Sequence, residues 1–290
     1  MTFSVIVPFL NEGKYIKDCA RSLLAQDFPE AERELIFIDN DSSDGSSSFV
    51  RQFSEIQLLN EHNHNVYVAR NRGLQMARGE IIAFTDADCV VSGDWLSQFR
   101  KAMEDPGVLI ALGAVYFRPG CSAAAKLFEE FQREISRHIF TNRISEKYYG
   151  YTNNMAVRAS VFKELGKFSE HPVTGDTEMV QRCARHYGAA SVAYFDNAKV
   201  WHMEVKAAVT CLKKLFFYGN YNTATKRKNV TIREFFTIYL ACCRKNAYSF
   251  WKAAYLFLLM ILGNAASFAG MITARIASGK AAAGNKRARI

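Results

Sequence analysis

Four short apolar runs, spaced along the first hundred residues, constrain this chain more than any other feature. Phe3-Ser4-Val5-Ile6-Val7-Pro8, Leu35-Ile36-Phe37-Ile38, the segment from Ile56 to Leu59, and Ile81-Ile82-Ala83-Phe84 read as buried strands. Between the first two, Ile16, Cys19, Ala20, Leu23 and Leu24 recur at spacings of three and four, the pattern of a helix with one face on a sheet. A second helix is predicted from about Ser46 to Phe53, and a third follows Asn65 and carries Arg70. Strand and helix alternate, so an open, mostly parallel α/β sheet is expected. Ligands of such sheets bind beyond the carboxyl ends of the strands. Asp39 and Asp86 both fall there.

The last of these runs passes at once into Thr85-Asp86-Ala87-Asp88. In extended backbone, residues i and i+2 point to the same side, so Asp86 and Asp88 can face one ligand. Two carboxylates aimed at one point repel unless a cation lies between them. Mg²⁺ or Mn²⁺, shared with the phosphates of a substrate, is the natural occupant. The same acids also suit a solvated turn, or the cap of a helix near Trp95. Neither Gly-x-Gly-x-x-Gly nor Gly-x-x-x-x-Gly-Lys-Ser/Thr occurs, so the usual backbone cradles for nucleotide phosphates are missing. If this sheet binds a nucleoside diphosphate, a metal must carry the phosphate charge. Asn65 is expected to be a left-handed or capping residue. Arg70 can reach a phosphate or simply face water.

The net charge of +9 conceals an asymmetry. Through Val205 there are 22 Lys and Arg against 27 Asp and Glu; from Lys206 onward, 15 stand against the single acid Glu234. A basic, aromatic-rich tail suits nucleic acid or an anionic membrane. Lys213, Lys214, Lys226, Arg227 and Lys228 alternate with Leu215, Phe216, Phe217, Tyr218 and Tyr221, as in an amphipathic surface helix. Ala253 to Ala274 is then uncharged over 22 positions, enough to cross a bilayer at about 20 residues. Gly263, Asn264, Ser267 and Gly270 weaken that signal, so a packed or monotopic helix stays open. Membrane attachment is favoured, since nucleic-acid binding accounts for the charge but not for the uncharged run. Seven cysteines without a Cys-x-x-Cys suggest reduced thiols in the cytosol. No secretory signal opens the chain, because Pro8 breaks its first apolar run.

Several blocks, each weak alone, follow one another in a telling order. They are Ser4-Val5-Ile6-Val7-Pro8 with Asn11-Glu12, Asp39-Asn40-Asp41-Ser42-Ser43-Asp44-Gly45, Ala69-Arg70-Asn71 and Phe84-Thr85-Asp86-Ala87-Asp88. Asn153-Asn154-Met155-Ala156-Val157-Arg158, Leu165-Gly166-Lys167-Phe168, Thr174-Gly175-Asp176-Thr177-Glu178 and Val200-Trp201-His202 continue the series. In this the chain resembles the inverting family 2 glycosyltransferases of GT-A fold.

The resemblance implies a single Rossmann-like, mostly parallel sheet flanked by helices, to which the tail adds a helical, membrane-associating extension. Residues 1–205 would form the catalytic domain, with 1–110 as its nucleotide-binding half and 111–205 as its acceptor-binding half; 206–290 would be the extension. It further implies that Pro8 and Glu12 lie beside the nucleoside, that Asp39 accepts a hydrogen bond from the base, and that Arg70 lies near base or diphosphate. Asp86 would contact the ribose or an ordered water, Asp88 would ligate Mg²⁺ or Mn²⁺, and His202 is a candidate second ligand or a packed, capping residue. Asp176 would be the general base, with Glu178 as its alternative. Relatives commonly carry Glu-Asp where this chain has Gly175-Asp176, and Asp176 also reads as a helix N-cap. Many relatives carry Gly at the positions of Asp41 and Asn65.

The implied reaction moves one sugar from a nucleotide-sugar donor to an acceptor hydroxyl with inversion. No Gln-x-x-Arg-Trp signature of processive enzymes is present. A lipid-linked saccharide acceptor, at the cytoplasmic face of the cell membrane, follows from the tail. A nucleotidyltransferase or phosphatase using the same Asp-x-Asp is the alternative. From Cys121 to Phe140, Phe128, Phe131, Ile135 and Ile139 predict a helix, either beside the acceptor or simply core-facing. Tyr148, Tyr149 and Tyr151 can stack on sugar or fill the core.

Overall fold

The computed structural model describes residues 1–171, 174–221 and 228–287, with side chains described outside 218–221 and 274–287. Its strands are β1 (Phe3–Phe9), β2 (Arg33–Asp39), β3 (Ile56–Asn60), β4 (Ile81–Phe84), β5 (Cys89–Val91), β6 (Ile110–Phe117), β7 (Met155–Arg158) and β8 (Val192–His202). Its helices are α1 (Ile16–Leu24), α2 (Ser46–Val50), α3 (Val66–Met76), α4 (Trp95–Ala102), α5 (Ala123–Thr141), α6 (Ala159–Leu165), α7 (Gly175–Tyr187), α8 (Ala208–Tyr221), α9 (Ile232–Lys245) and α10 (Phe250–Arg287).

The strands form one sheet in the order β3-β2-β1-β4-β7-β6-β8-β5. The first four strands in sequence pair in parallel, as the alternation with helices requires. Beyond them β7 runs antiparallel to β4 and β6, β8 is parallel to β6, and β5 is antiparallel to β8. The expected mostly parallel sheet flanked by helices is therefore found, with its antiparallel pairs in the second half.

Pro8 lies inside β1 rather than ending it. Phe9 O accepts from Asn40 N toward β2, so the alternating Pro8 faces the β4 side, where β4 has already stopped opposite Ile6. Its missing N–H thus leaves no ladder position empty. The apolar stripe of α1, Ile16, Cys19, Ala20 and Leu23, is buried as its spacing demands. Helix α2 stops at Val50, short of Phe53.

The chain divides into two compact units. The first joins Met1–Pro119 to Ile135–Glu204 and holds the whole sheet. The second joins Gly120–Glu134 to Val205–Ile290. In this second unit α9 begins with a capping box, in which Thr231 Oγ1 accepts from Glu234 N and Glu234 Oε2 from Thr231 N. The single acid of the tail is thus spent on starting a helix. Leu256, Leu259 and Met260 bury one face of α10, whereas Trp251, Tyr255, Leu258, Ile261, Leu262 and Phe268 on the other are exposed.

Candidate functional site

After Phe84 the chain turns through Thr85-Asp86-Ala87-Asp88 into β5. Thr85 Oγ1 donates to the carbonyl of Asn153 (3.0 Å), which ties this turn to the segment entering β7. Neither carboxylate caps a helix, since Asp94 holds the cap position of α4. Asp86 Oδ1 instead accepts from Arg70 Nη2 at 2.6 Å, and the buried guanidinium of Arg70 lies 5.2 Å from the ring centre of Tyr67. Asp88 Oδ2 stands 3.2 Å from Nδ1 of His202. Sheet register brings this second pair together, because β5 sets Cys89 directly opposite His202.

The ligand atoms of Asp88, Cys89 and His202 lie within 4.8 Å of one another. Burial, and then the charges of Asp88 and Asp86, hold the Cys89 thiol far above its ordinary range, so it is a weak donor to Asp88 Oδ1 (3.4 Å) rather than a thiolate. A carboxylate and an imidazole nitrogen remain, a donor pair suited to Mn²⁺ or Mg²⁺ alongside phosphate oxygens. The field around them favours a cation as well. Burial, followed by the charges of Asp88, Glu204, Asp86 and Asp44, pushes Glu12 up to about 7. Arg70 is engaged with Asp86.

The ends of β1 and β2 form the adjoining part of the same sheet edge. Pro8 pairs with Ile38 and Phe9 with Asp39. Asp39 is buried; Oδ1 accepts from Ser42 N at 2.8 Å and Oδ2 from Ser47 Oγ, so it organises the loop that runs into α2. Asp44 accepts from Gly13 N at 2.8 Å, joining the loop of Asn11 and Glu12 to the start of α2. Asp41 has φ +77, which explains why glycine suits this position. Asn65, at φ −119, is the cap and not a left-handed residue, with its side chain accepting from Tyr67 N at 2.9 Å.

Asp176 lies in the first turn of α7, whose N-cap is Thr174, so the capping role expected of it falls elsewhere. Its carboxylate accepts from Thr177 N at 2.7 Å. Burial pushes Asp176 up to about 6, against the opposing pull of Arg70 and of hydrogen bonding. Two carboxylate oxygens offer about four lone pairs, so room remains for a further donor. Glu178 faces another way, 3.3 Å from Arg182, which binds the carbonyls of Leu165 and Lys167.

The structure also explains Gly175 where Glu was expected. A Cβ there would lie 2.5 Å from Ser169 O and 2.8 Å from Tyr67 Cδ1, so no side chain fits. Gly150 is equally confined, since its Cβ would lie 2.5 Å from Asp176 O. Tyr148 is fully buried and belongs to the core, whereas Tyr151 is half-buried and donates to Gly113 O at 2.8 Å.

Of the residues singled out in sequence, contact joins Arg70 to Asp86 and Asp88 to His202, and charge couples Glu12 to both acids and Arg70 to Asp176. Pro8 and Asp39 stand beside one another at the neighbouring strand ends. Sequence reasoning missed Tyr67, Gly150 and Glu204. Tyr67 falls on a helix where an aromatic residue reads as core, and nothing in linear spacing links it to residue 176. It also missed Asn71, which clamps Phe168 through both its backbone N–H and its carbonyl (3.1 and 3.0 Å) and so steadies the approach to α7.

Residues 4–166 match the family model described as glycosyl transferase family 2. Glycosyltransferase AglE of Haloferax volcanii is 31% identical over 178 residues, 59% of this chain and 57% of that protein. The putative glycosyltransferase EpsH of Bacillus subtilis is 25% identical over 249 residues, 80% of this chain and 71% of that one. Among solved structures, the mannosyltransferase PcManGT from Pyrobaculum calidifontis in complex with GDP-Man and Mn²⁺ superposes with a TM-score of 0.59 at 20% identity, over 97% of this chain and 80% of that chain. S. aureus TarS 1–349 in complex with UDP gives 0.54 at 20% identity, over 70% and 60%. At such identities these structures speak for the fold. The chain spans less than two thirds of the length of AglE and of the TarS chain.

Proposed function

The chain belongs to glycosyl transferase family 2, and from that premise we propose that it moves a single sugar from a nucleoside-diphosphate sugar to an acceptor hydroxyl, with inversion at the anomeric carbon. The observation that carries this reading is the convergence, at the carboxyl edge of the sheet, of the Asp88–His202 pair, the Arg70–Asp86 pair and the raised carboxyl of Asp176.

Each residue takes a role that its surroundings support. Asp88 and His202 hold a divalent cation; when bound, Mg²⁺ or Mn²⁺ supplies charge neutralisation for the departing diphosphate. Pro8, Glu12 and Asp39 line the nucleoside side, with Asp39 accepting from the base through a lone pair its loop contacts leave over. Asp86 orients the nucleotide while it anchors Arg70. Asp176 takes the acceptor proton: a carboxyl raised to about 6 is deprotonated at neutral pH and still basic enough to share the proton as the bond forms. Glu178, engaged with Arg182, is less suited to that role. One base and direct displacement lead to inversion.

The second unit supports work at a membrane. Phe250–Thr273 is 24 residues long and apolar enough to cross a bilayer, and most of it is not buried within the protein. Ile232, Phe236 and Leu240 add an exposed apolar stripe along α9, within a tail that carries 15 basic residues and one acid. The acceptor that fits is a lipid-linked saccharide at the cytoplasmic face of the cell membrane, as in polysaccharide or envelope assembly. A nucleic-acid partner leaves the apolar faces without a purpose.

The test is to incubate purified protein with Mn²⁺ and a panel of UDP-, GDP- and dTDP-sugars, with and without lipid-linked acceptors. Release of nucleoside diphosphate with sugar transfer is the expected result. Release of monophosphate or free phosphate would make it a nucleotidyltransferase or phosphatase.

A further inference from the structure

Within the second unit, α10 is apolar on two opposite faces, and they meet different surroundings. Leu256, Met260, Gly263 and Gly270 are buried at helical spacing, so one stripe is covered by protein along most of the helix. Midway along that stripe, a Cβ on Gly263 would lie 3.0 Å from Leu215 Cδ1 of α8 and 3.3 Å from Phe128 Cε1 of α5. Nearer its start, Tyr239 of α9 donates through its hydroxyl to Ala253 O at 2.9 Å, and the ring of Phe257 packs 6.1 Å from that of Phe236. The opposite face carries Trp251, Tyr255, Leu258, Leu262, Phe268 and Ile272, all exposed, over about 32 Å of helix. Lys252, the single charged residue from Phe250 to Thr273, lies over the ring of Tyr248 at 4.1 Å.

A helix that crosses a bilayer is surrounded by lipid or by neighbours that cross with it. The neighbours of α10 are charged. Phe128 is followed by Glu129 and Glu130, Leu215 is preceded by Lys213 and Lys214, and the buried Glu129 pairs with Lys126 at 2.6 Å. Standing α10 upright, with Gly263 near the midplane, would carry these groups into hydrocarbon, where ionised side chains are costly. Laid flat, the helix gives lipid only its exposed apolar face and leaves them on the water side.

We propose that the second unit is monotopic: α9 and the exposed face of α10 lie in the plane of one leaflet of an anionic membrane, and nothing between Phe250 and Thr273 crosses it. This orientation rests on the reading that the second unit works at a membrane, and turns attachment into a stated geometry. Ile232, Phe236 and Leu240 form an exposed stripe along α9 at spacings of four, and the stacking of Phe236 on Phe257 joins it to α10. Arg233 and Arg244 are exposed beside this stripe, three and four residues from Phe236 and Leu240. Their long side chains can keep the guanidinium groups among anionic headgroups while the apolar residues sink below. A tail with 15 basic residues and one acid complements such a surface.

Tryptophan quenching in lipid tests this on the full chain. The protein is bound to vesicles of phosphatidylcholine and phosphatidylglycerol whose acyl chains carry bromine either near the headgroup or near the chain end. Wild-type Trp251 is compared with Leu262→Trp and Phe268→Trp, each made together with Trp251→Phe; all three positions are exposed, so no core is disturbed. Trp95 and Trp201 belong to the first unit and give the same background throughout. Bromine near the headgroup should quench all three positions to within about twofold of one another, because a flat helix buries its face to one depth of about 5–10 Å. Strongest quenching of Leu262→Trp by bromine near the chain end, with Trp251 quenched near the headgroup, would show a crossing helix and overturn the proposal. Protein that stays in the supernatant with no quenching at any position would overturn the membrane reading itself. If that protein also sediments as a dimer in the ultracentrifuge, the face belongs to a second copy.

Discussion

Nδ1 of His202 stands 3.2 Å from Oδ2 of Asp88, although one residue closes β8 and the other lies in the turn after β4. The antiparallel pairing of β5 with β8 is what joins them, and backbone contact seals the join, since Met203 N donates to Asp88 O at 2.8 Å. A carboxylate and an imidazole held at that spacing, within a field of further acids, are a donor pair that could hold a cation, and its two sides come from separate parts of the fold.

His202→Ala and Asp88→Asn should therefore each weaken the Mn²⁺-dependent binding of UDP or GDP on the order of tenfold or more. Titration calorimetry with and without Mn²⁺ measures this. Equal affinity with and without metal in the wild type would remove the cation from the reading.

Asp176→Asn should lower transfer by about a hundredfold or more while nucleotide affinity is kept. In the wild type the rate should drop as pH falls below about 6, where the carboxyl takes up its proton. The sign for stability is opposite to that for activity. A carboxyl raised from 3.8 to about 6 means that the folded state binds the proton more tightly, so stability falls as pH rises through that window. Removing the charge should then raise the melting temperature at pH 8. A lower melting temperature together with lost nucleotide binding would make Asp176 a structural residue.

Gly150→Ala places a methyl group 2.5 Å from the carbonyl oxygen of Asp176. Overpacking of this kind costs about 1–3 kcal/mol, and here the backbone that must yield carries Asp176, the proposed base. The expected outcome is a fall in kcat larger than the rise in donor KM, read by steady-state kinetics. A variant with wild-type kcat would show that the start of α7 adjusts without consequence.

Paired changes on the exposed face of α10, Trp251→Glu with Leu258→Glu, should detach the protein from vesicles of anionic lipid. Each loses about 1.5–3 kcal/mol of apolar burial if that face meets lipid. Co-sedimentation measures the loss, and donor binding in detergent serves as the control that should not change. Unaltered sedimentation would mean that this face does not meet lipid.

Much of this part of the candidate site was legible in the linear chain because its residues sit where strands end. An apolar run followed by an acid marks both the strand and the point at which its last side chain leaves the core, as Asp39 and Asp86 do. The blocks from Ser4 to His202 extended this to a family and to Asp88, His202 and Asp176 as candidates. Less legible was how the two acids of Asp86-Ala87-Asp88 divide. Spacing alone makes the two look alike and the resemblance separates their roles, but only the positions of α3 and β8 give one to Arg70 and the other to His202.

By itself the sequence determined the alternation of strands and helices, the acidic edge and the basic, apolar tail, because periodicity, chain-terminating residues and charge are local properties. The tertiary structure alone decided that Cys89 faces His202, that Glu178 turns toward Arg182, that Tyr67 fills the room beside Gly175, and that burial pushes the carboxyl of Asp176 up to about 6. These depend on register, on which helix faces overlap and on how far a carboxyl is withdrawn from water. Each is a relation between distant residues, and it comes into being only when the sheet closes and α3 and α7 settle together.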